Sequence, residues 1–166
     1  MTIFSNLKKL ALLGIILPAL AFTPASAQTG GAETPSAEAL TYAKLLGAHC
    51  PNAWESDACL SAVSKSNLAL ASNYGAKLQE NKQKDAAENI KQHCAASTAA
   101  AEGSYPAYAM KSAFIECANA ISDTSIKTRI DPDASHYQLL IGATMCLNKD
   151  AGCENITKSL QAYAAQ

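Results

Sequence analysis

The chain has 166 residues, with 13 basic and 14 acidic side chains and a formal net charge of −1. Its basic residues are scattered and outnumbered, whereas a nucleic-acid-binding surface needs lysine and arginine clustered opposite the phosphates. Nucleic acid is therefore not an expected partner, and the length is that of a single domain.

The first 27 residues have the three parts of a cleavable signal peptide. Lys8 and Lys9 form a positive start, residues 10–22 are an uncharged apolar run, and residues 25–27 read Ala-Ser-Ala. That run is shorter than the roughly 20 residues that a membrane-spanning helix needs. The small-x-small ending is the pattern that signal peptidase cleaves, which disfavours the alternative of an uncleaved anchor. We expect cleavage between Ala27 and Gln28, and no stable membrane span afterwards.

The mature chain predicted in this way is rich in alanine and poor in large aliphatic residues. Residues 28–166 contain 29 alanines but only 20 residues of Leu, Ile, Val and Phe, and their formal charge is −3. Alanine favours helix more than any other residue, yet it removes little apolar area from water. We therefore expect helices around a thin core that needs further stabilisation.

Six cysteines are the natural source of that stabilisation. All lie in the mature part, and an even number in an exported chain indicates three disulfides. They are Cys50, Cys59, Cys94, Cys117, Cys146 and Cys153.

The coarse helix pattern starts after a flexible segment at residues 28–34, and a single helical domain is predicted for residues 35–166. Pro35 suits the first position of a helix, and Pro51 ends that helix. Asn52 and Glu55 form a candidate capping box for a second helix, whose apolar stripe runs from residue 60 to residue 78.

Four more helices are predicted in the second half of the chain. The third begins at a capping box of Asp85 and Glu88 and ends at Gly103. The fourth begins at residues 104–106 and extends to residue 121, and residues 123–131 are left as loop, short strand or a turn of helix. The fifth runs from residues 131–133 to residue 147, and the sixth from residue 153 nearly to the end.

These six helices fall into three consecutive pairs, each with two cysteines. The preferred pairing is Cys50–Cys59, Cys94–Cys117 and Cys146–Cys153, which would staple each helical hairpin. Each bond would restrict the unfolded chain by about 2.5–3.5 kcal/mol. Spacing alone leaves other pairings open, above all for the middle pair, whose cysteines could reach another hairpin. The predicted fold class is all-α, arranged as a compact bundle or as a short solenoid-like array.

Two segments resemble the disulfide-stapled helical repeats of secreted cysteine-rich bacterial proteins. Residues 42–63 (YAKLLGAHCPNAWESDACLSAV) and residues 142–157 (GATMCLNKDAGCENIT) both place two cysteines a short distance apart within a helical hairpin. The resemblance covers about a quarter of the mature chain, and the middle cysteine pair departs from that spacing. It implies the solenoid-like stacking of hairpins.

No catalytic, metal or cofactor site is expected from the motifs. His49 and His93 each precede a cysteine, but the ligand spacings typical of zinc sites do not occur. A Cys-x-x-Cys motif, a Gly-x-Ser-x-Gly elbow and a His-Glu-x-x-His motif are also missing from the sequence.

Candidate partner contacts come from three places in the sequence. Trp54 lies in the first connection, and Tyr105 and Tyr108 flank a proline at the start of the fourth helix. Tyrosine and tryptophan are common anchors in protein interfaces, although here they could instead cover a thin core. Ile126 and Arg129 lie in the long connection that follows, where function often resides.

The preferred function is an exported, non-enzymatic module that binds another protein, in the periplasm or outside the cell. An inhibitor, an immunity-type protein, a chaperone or an accessory subunit would fit. The alternative is a small exported enzyme, or a ligand or metal carrier, with an unrecognised site built from His49, His93, His136 and acidic residues. A pocket that gathers two of those histidines would favour the alternative, and a shallow aromatic patch would favour the binding module.

Overall fold

The computed structural model describes residues 37–104, 106–130, 134–149 and 152–166. The predicted signal peptide, its cleavage site between Ala27 and Gln28, and the segment 28–34 lie outside these ranges. Within them the chain forms seven α-helices and no strand, which confirms the all-α class. None of these helices combines the length and the apolar character that crossing a bilayer requires.

The helices are numbered in chain order, and two 3-10 turns accompany them. The bounds are α1 Ala37–His49, α2 Asp57–Glu80, α3 Lys84–His93, α4 Ala95–Ala101, α5 Lys111–Thr128, α6 Ala134–Met145 and α7 Cys153–Ala164, with 3-10 turns at Ala107–Met110 and Cys146–Asn148.

All six cysteines form disulfides in the sequential order that the hairpin argument favours. Cys50–Cys59 joins the end of α1 to the start of α2, with Cα atoms 4.7 Å apart. Cys94–Cys117 joins the junction of α3 and α4 to α5, at a Cα distance of 4.6 Å. Cys146–Cys153 joins the turn after α6 to the start of α7, at 5.5 Å. The predicted pairing is confirmed, including its middle pair.

The first and last helices pack against each other, which decides between the two predicted architectures. In a linear array of hairpins, α1 and α7 would lie at opposite ends, but here they are in extensive contact. The two backbones approach closely at Gly47, where an added Cβ would clash with the backbone carbonyl of Leu160. Glycine at this position allows the contact, and the helices close into a bundle.

The core of the bundle is built around α2, which touches α1, α3, α4, α5 and α6. Its large side chains are few, as the composition predicts, and buried alanines such as Ala43, Ala62, Ala118 and Ala143 fill positions between them. Small side chains let helix axes approach closely, so that the few large residues suffice to fill the interior. The largest fully buried apolar side chains are those of Tyr74, Phe114, Leu46, Leu70, Leu78, Ile90, Ile121, Leu147, Leu160 and Val63.

One polar side chain lies at the centre of this core. Asn67 of α2 is fully buried and donates to the carbonyl of Phe114 in α5 at 3.0 Å and to the hydroxyl of Ser97 in α4 at 3.4 Å. Its own carbonyl accepts from the hydroxyl of Thr144 in α6 at 2.9 Å. Because buried polar groups are costly unless they are paired, this network favours one relative arrangement of four helices. The sequence pattern had assigned Asn67 merely to an amphipathic stripe.

Both predicted capping boxes are wrong. Asn52 has a left-handed backbone, with φ 66°, and α2 begins five residues later, where Ser56 accepts from the amide of Cys59 at 3.2 Å. The tight turn needed to bring Cys59 back to Cys50 occupies the residues between. At α3 the residue before the helix is Gln83, whose side chain makes no capping bond.

Three helix boundaries also differ from the prediction. The predicted third helix is two helices, α3 and α4, because the backbone bends at Cys94, the disulfide-bonded residue. The unassigned stretch 123–131 is mostly helix, since α5 continues to Thr128, whose hydroxyl lies 2.8 Å from that of Tyr74. The fifth helix tightens into a 3-10 turn at Cys146, and its predicted start at residues 131–133 lies outside the described ranges.

Candidate functional site

The connection between α1 and α2 is short and rigid, and it holds Trp54. The amide of Ala53 donates to the carbonyl of Cys50 at 2.9 Å, and the amide of Ser56 donates to the carbonyl of Ala53 at 2.9 Å. The Cys50–Cys59 disulfide closes the base of this loop. Trp54 is half-buried and packs against the core. It therefore partly covers the core, which is the alternative role predicted for the aromatic residues.

Next to Trp54, Glu55 connects this loop to two distant parts of the chain. Its Oε1 atom lies 3.3 Å from the Nζ atom of Lys111, at the start of α5, and 3.5 Å from the Nζ atom of Lys149, after α6. The hydrogen bond from Lys111, with the positive charge of Lys149, lowers the pKa of Glu55 below its ordinary value. The carboxylate is therefore ionised at neutral pH, where it can pair with the two lysines.

Tyr108 stands close to the same ion pairs, because it precedes Lys111 by one turn of chain. It lies on the 3-10 turn before α5 and is 65 % exposed. Beside it opens a shallow cavity of about 400 Å³, lined by Tyr108, Ala109, Lys111, Ser112, Ile115 and Asn148. Of the predicted aromatic contacts, Trp54 therefore precedes Glu55 directly in the chain, and Tyr108 lines one cavity with Lys111.

We call this region the 54–108 surface and define it by residues from three separated stretches. They are Trp54, Glu55, Tyr108, Lys111, Ile115, Asn148 and Lys149. The sequence predicts the two aromatic residues as partner contacts but gives no sign that the other five residues belong to the same surface, because only the tertiary fold brings them together. The one local signal was a charged residue beside or near each aromatic residue.

The remaining predicted contacts do not join this surface. Ile126 is 73 % exposed and lies 15 residues after Lys111 on α5, which corresponds to about 22 Å along the helix. Arg129 follows in a left-handed conformation, with φ 56°, and its amide donates to the carbonyl of Ser125 at 2.9 Å. Tyr105 lies outside the described residues. Ile126 and Arg129 therefore form a second exposed place at the far end of α5.

A polar groove between α3 and α5 contains one of the histidines of the alternative hypothesis. The Nδ1 atom of His93 lies 3.2 Å from a carboxylate oxygen of Glu116. Asn119, Asp123 and Lys127 also line this open groove, which has a volume of about 320 Å³. His93 is the single histidine among the described residues that line this groove.

The other two histidines lie elsewhere. His49 is exposed at the end of α1, and the side chain of His136 is outside the described part of the chain. Over the described residues, no group of three or more His, Cys, Asp and Glu side chains is arranged to hold a metal ion.

Comparison with known proteins gives no match for this chain to a protein-family model, to a curated protein or to a solved structure.

Proposed function

We propose that this protein is an exported, non-enzymatic binding module that holds a partner protein against the 54–108 surface. The observation that carries the proposal is that the ion pairs of Glu55 with Lys111 and Lys149 join the loop of Trp54 to the start of α5, where Tyr108 and Lys111 line one cavity. Aromatic anchors surrounded by polar and charged side chains are the usual composition of binding hot spots in protein interfaces.

Rigidity of the surface supports the same proposal. The loop of Trp54 is closed by the Cys50–Cys59 disulfide, and the turn that ends with Lys149 is closed by Cys146–Cys153. A surface that is already ordered loses less conformational entropy when a partner binds. An inhibitor, an immunity-type protein, a chaperone or an accessory subunit would each use such a surface.

Two further features support export. The N-terminal sequence has the signal-peptide pattern with its Ala-Ser-Ala ending, and the three disulfides are compatible with an oxidising compartment, where such bonds persist. We therefore place the mature protein in the periplasm or outside the cell.

The alternative, an enzyme or a ligand carrier, receives less support from the geometry. It requires a pocket that gathers two histidines, and among the described side chains the groove of His93 has one histidine in its lining. The shallow patch of Tyr108, which favours the binding module, is present.

The proposal is tested by site-specific cross-linking in the native cell envelope. A photo-reactive benzoylphenylalanine replaces Tyr108 in one variant and Ile126 in a second, which samples the other exposed place on the same helix. We expect one discrete cross-linked product from position 108, whose partner is identified by mass spectrometry. An excess of unmodified protein should compete for the partner and abolish this product. The proposal fails if position 108 gives no such product or if position 126 gives the same product equally.

Binding measured with the purified partner completes the test. Truncation of a hot-spot residue costs more than 1 kcal/mol and often 2 kcal/mol, so Tyr108→Ala should weaken the Kd by about tenfold or more. Ile126→Ala, which removes an exposed side chain from the far end of α5, is the matched control and should leave the Kd unchanged. An unchanged Kd for Tyr108→Ala would contradict the proposed contact surface.

A further inference from the structure

We infer that the cavity beside Tyr108 binds a carboxylate-bearing apolar group, namely an acidic side chain or chain terminus of the partner that lies next to an aromatic or aliphatic side chain. The inference rests on the proposed function and names the chemistry of the partner at that same surface. Its argument comes from the shape, the charge and the apolar area of the cavity.

The cavity has two walls from different parts of the chain. One wall is a continuous stretch of chain, with Tyr108 on the 3-10 turn and Lys111, Ser112 and Ile115 at the start of α5. Asn148, from the 3-10 turn after α6, faces them across the opening. The volume of about 400 Å³ is at the small end for ligand sites, so it suits one or two side chains.

Charge selects between an acidic and a basic occupant. Among the described residues that line the cavity, Lys111 carries the one formal charge, and its neighbours in the cluster are Glu55 and Lys149. Both ammonium groups approach the same Oε1 atom of Glu55, at 3.3 and 3.5 Å. Two cations for one carboxylate leave these three side chains with a net charge of +1. An incoming carboxylate is attracted to this cluster, and an incoming ammonium group is repelled.

The apolar surface of the cavity favours an occupant with apolar carbon over a simple anion. The side chain of Tyr108 is exposed, and the half-buried side chain of Ile115 lines the same cavity. Their removal from water favours an occupant that carries apolar carbon beside its charge. The side chain of Lys111 is 34 % exposed, so its ammonium group is reachable but partly screened from solvent, which strengthens its attraction for a carboxylate.

Three small probes that differ only in their polar group test this inference on the disulfide-intact mature protein. They are 3-phenylpropionate, 3-phenylpropanamide and 3-phenylpropylamine, followed by ¹H–¹⁵N NMR. We expect 3-phenylpropionate to shift the amides of residues 108–115 and 148–149 in a saturable way. The amide probe should bind about three- to fivefold more weakly, which is the size of one partly exposed charge interaction, and the amine should give no saturable shift there.

A pair of lysine variants identifies the residue responsible. Lys111→Met keeps most of the apolar stem but removes the charge, and it should weaken 3-phenylpropionate binding about three- to fivefold while leaving the amide probe unchanged. Lys127→Met makes the same change near the other end of α5 and should have no effect on either probe. Melting temperatures of both variants show whether they are folded.

The outcomes separate this inference from the proposed function. Equal binding of the three probes, stronger binding of the amine, absence of binding, or an unaffected Lys111→Met variant each overturns the inference. If the cross-link from position 108 nevertheless forms, the protein-binding function stands and only the acidic character of the partner is wrong. If 3-phenylpropionate binds as expected but no partner is cross-linked, the cavity remains a carboxylate site and the proposed function is wrong.

Discussion

Replacement of Asn67 by alanine is expected to destabilise the domain by about 2.5 kcal/mol. The change removes two short hydrogen bonds, to the Phe114 carbonyl at 3.0 Å and from the Thr144 hydroxyl at 2.9 Å, each worth about 1 kcal/mol. The space left by the amide group adds about 1 kcal/mol. The higher helix propensity of alanine offsets about 0.6 kcal/mol of this loss.

The assay is reversible urea unfolding followed by far-UV circular dichroism, with a thermal melt beside it. For a domain of this size, the loss corresponds to a decrease in Tm of roughly 10 °C. Asn73→Ala is the matched control, because Asn73 lies on the same helix and its side chain donates to Glu38 at 3.0 Å in an exposed position. It gains the same helix propensity and should change stability by less than about 0.5 kcal/mol.

A double-mutant cycle with Thr144→Val then measures the pair itself. When Asn67 is removed, the single hydroxyl hydrogen of Thr144 can be donated to the Leu140 carbonyl, which lies 3.3 Å away. The coupling between Asn67 and Thr144 should then be about 1 kcal/mol. The reasoning is refuted if Asn67→Ala costs less than about 1 kcal/mol, or if the two single changes add to within about 0.5 kcal/mol.

Three further predictions concern other parts of the fold. Gly47→Ala should lower stability by roughly 2–3 kcal/mol in urea unfolding, because its Cβ would overlap the Leu160 carbonyl. Gly75→Ala adds a methyl group into open space and should raise stability by about 0.5–1 kcal/mol. A loss of stability in both variants would contradict the packing argument. Glu55 has a lowered pKa in the folded state, so its contribution to stability is present above its ordinary pKa and is lost as the pH falls through the lowered value. The difference in Tm between wild type and Glu55→Gln should therefore shrink on acidification below about pH 4.5, and a constant difference would contradict the ion pairs. Reduction of all three disulfides should lower the melting temperature by tens of degrees or unfold the domain, since each bond is worth about 2.5–3.5 kcal/mol; a small change would show that the core is sufficient alone.

The helical hairpins and their disulfides could be predicted from the sequence because both depend on local spacing. A helix ends where proline or glycine punctuates it, and consecutive cysteines then face each other across a short turn, as with Cys50 and Cys59. The break between α3 and α4 carries no such punctuation. Cys94 is followed by an alanine-rich run that favours unbroken helix. The helix is nevertheless interrupted at Cys94, which is bonded to Cys117.

The helix starts were mispredicted for a related reason. Asn52 and Glu55 have the spacing of a capping box, but the disulfide loop needs a left-handed residue at Asn52, and Glu55 forms ion pairs instead. A capping box is favoured by roughly 1 kcal/mol, which is too little to override closure of the loop. The continuation of α5 to Thr128 was missed because its polar residues gave no clear apolar stripe, although Thr124 on its inner side is buried.

The candidate site was predictable only as separate aromatic residues. Trp54 and Tyr108 each suggested a contact, but their proximity depends on Glu55 meeting Lys111, 56 positions later, and Lys149 still further along the chain. Such long-range pairs leave no periodic trace in the sequence. The packing of α1 on α7, which closes the bundle, is equally invisible to spacing arguments.

The sequential order of the disulfides has a consequence for the way in which the chain acquires them. Each cysteine is bonded to its nearest neighbour in the series, across separations of 9, 23 and 7 residues. A chain that enters an oxidising compartment from its N-terminus presents these cysteines in the same order. If the first, third and fifth cysteines in the chain each react with the next cysteine to arrive, the three native disulfides form directly. No wrong bond then has to be exchanged. The contact of α1 with α7, which closes the bundle, must wait until the last helix has emerged.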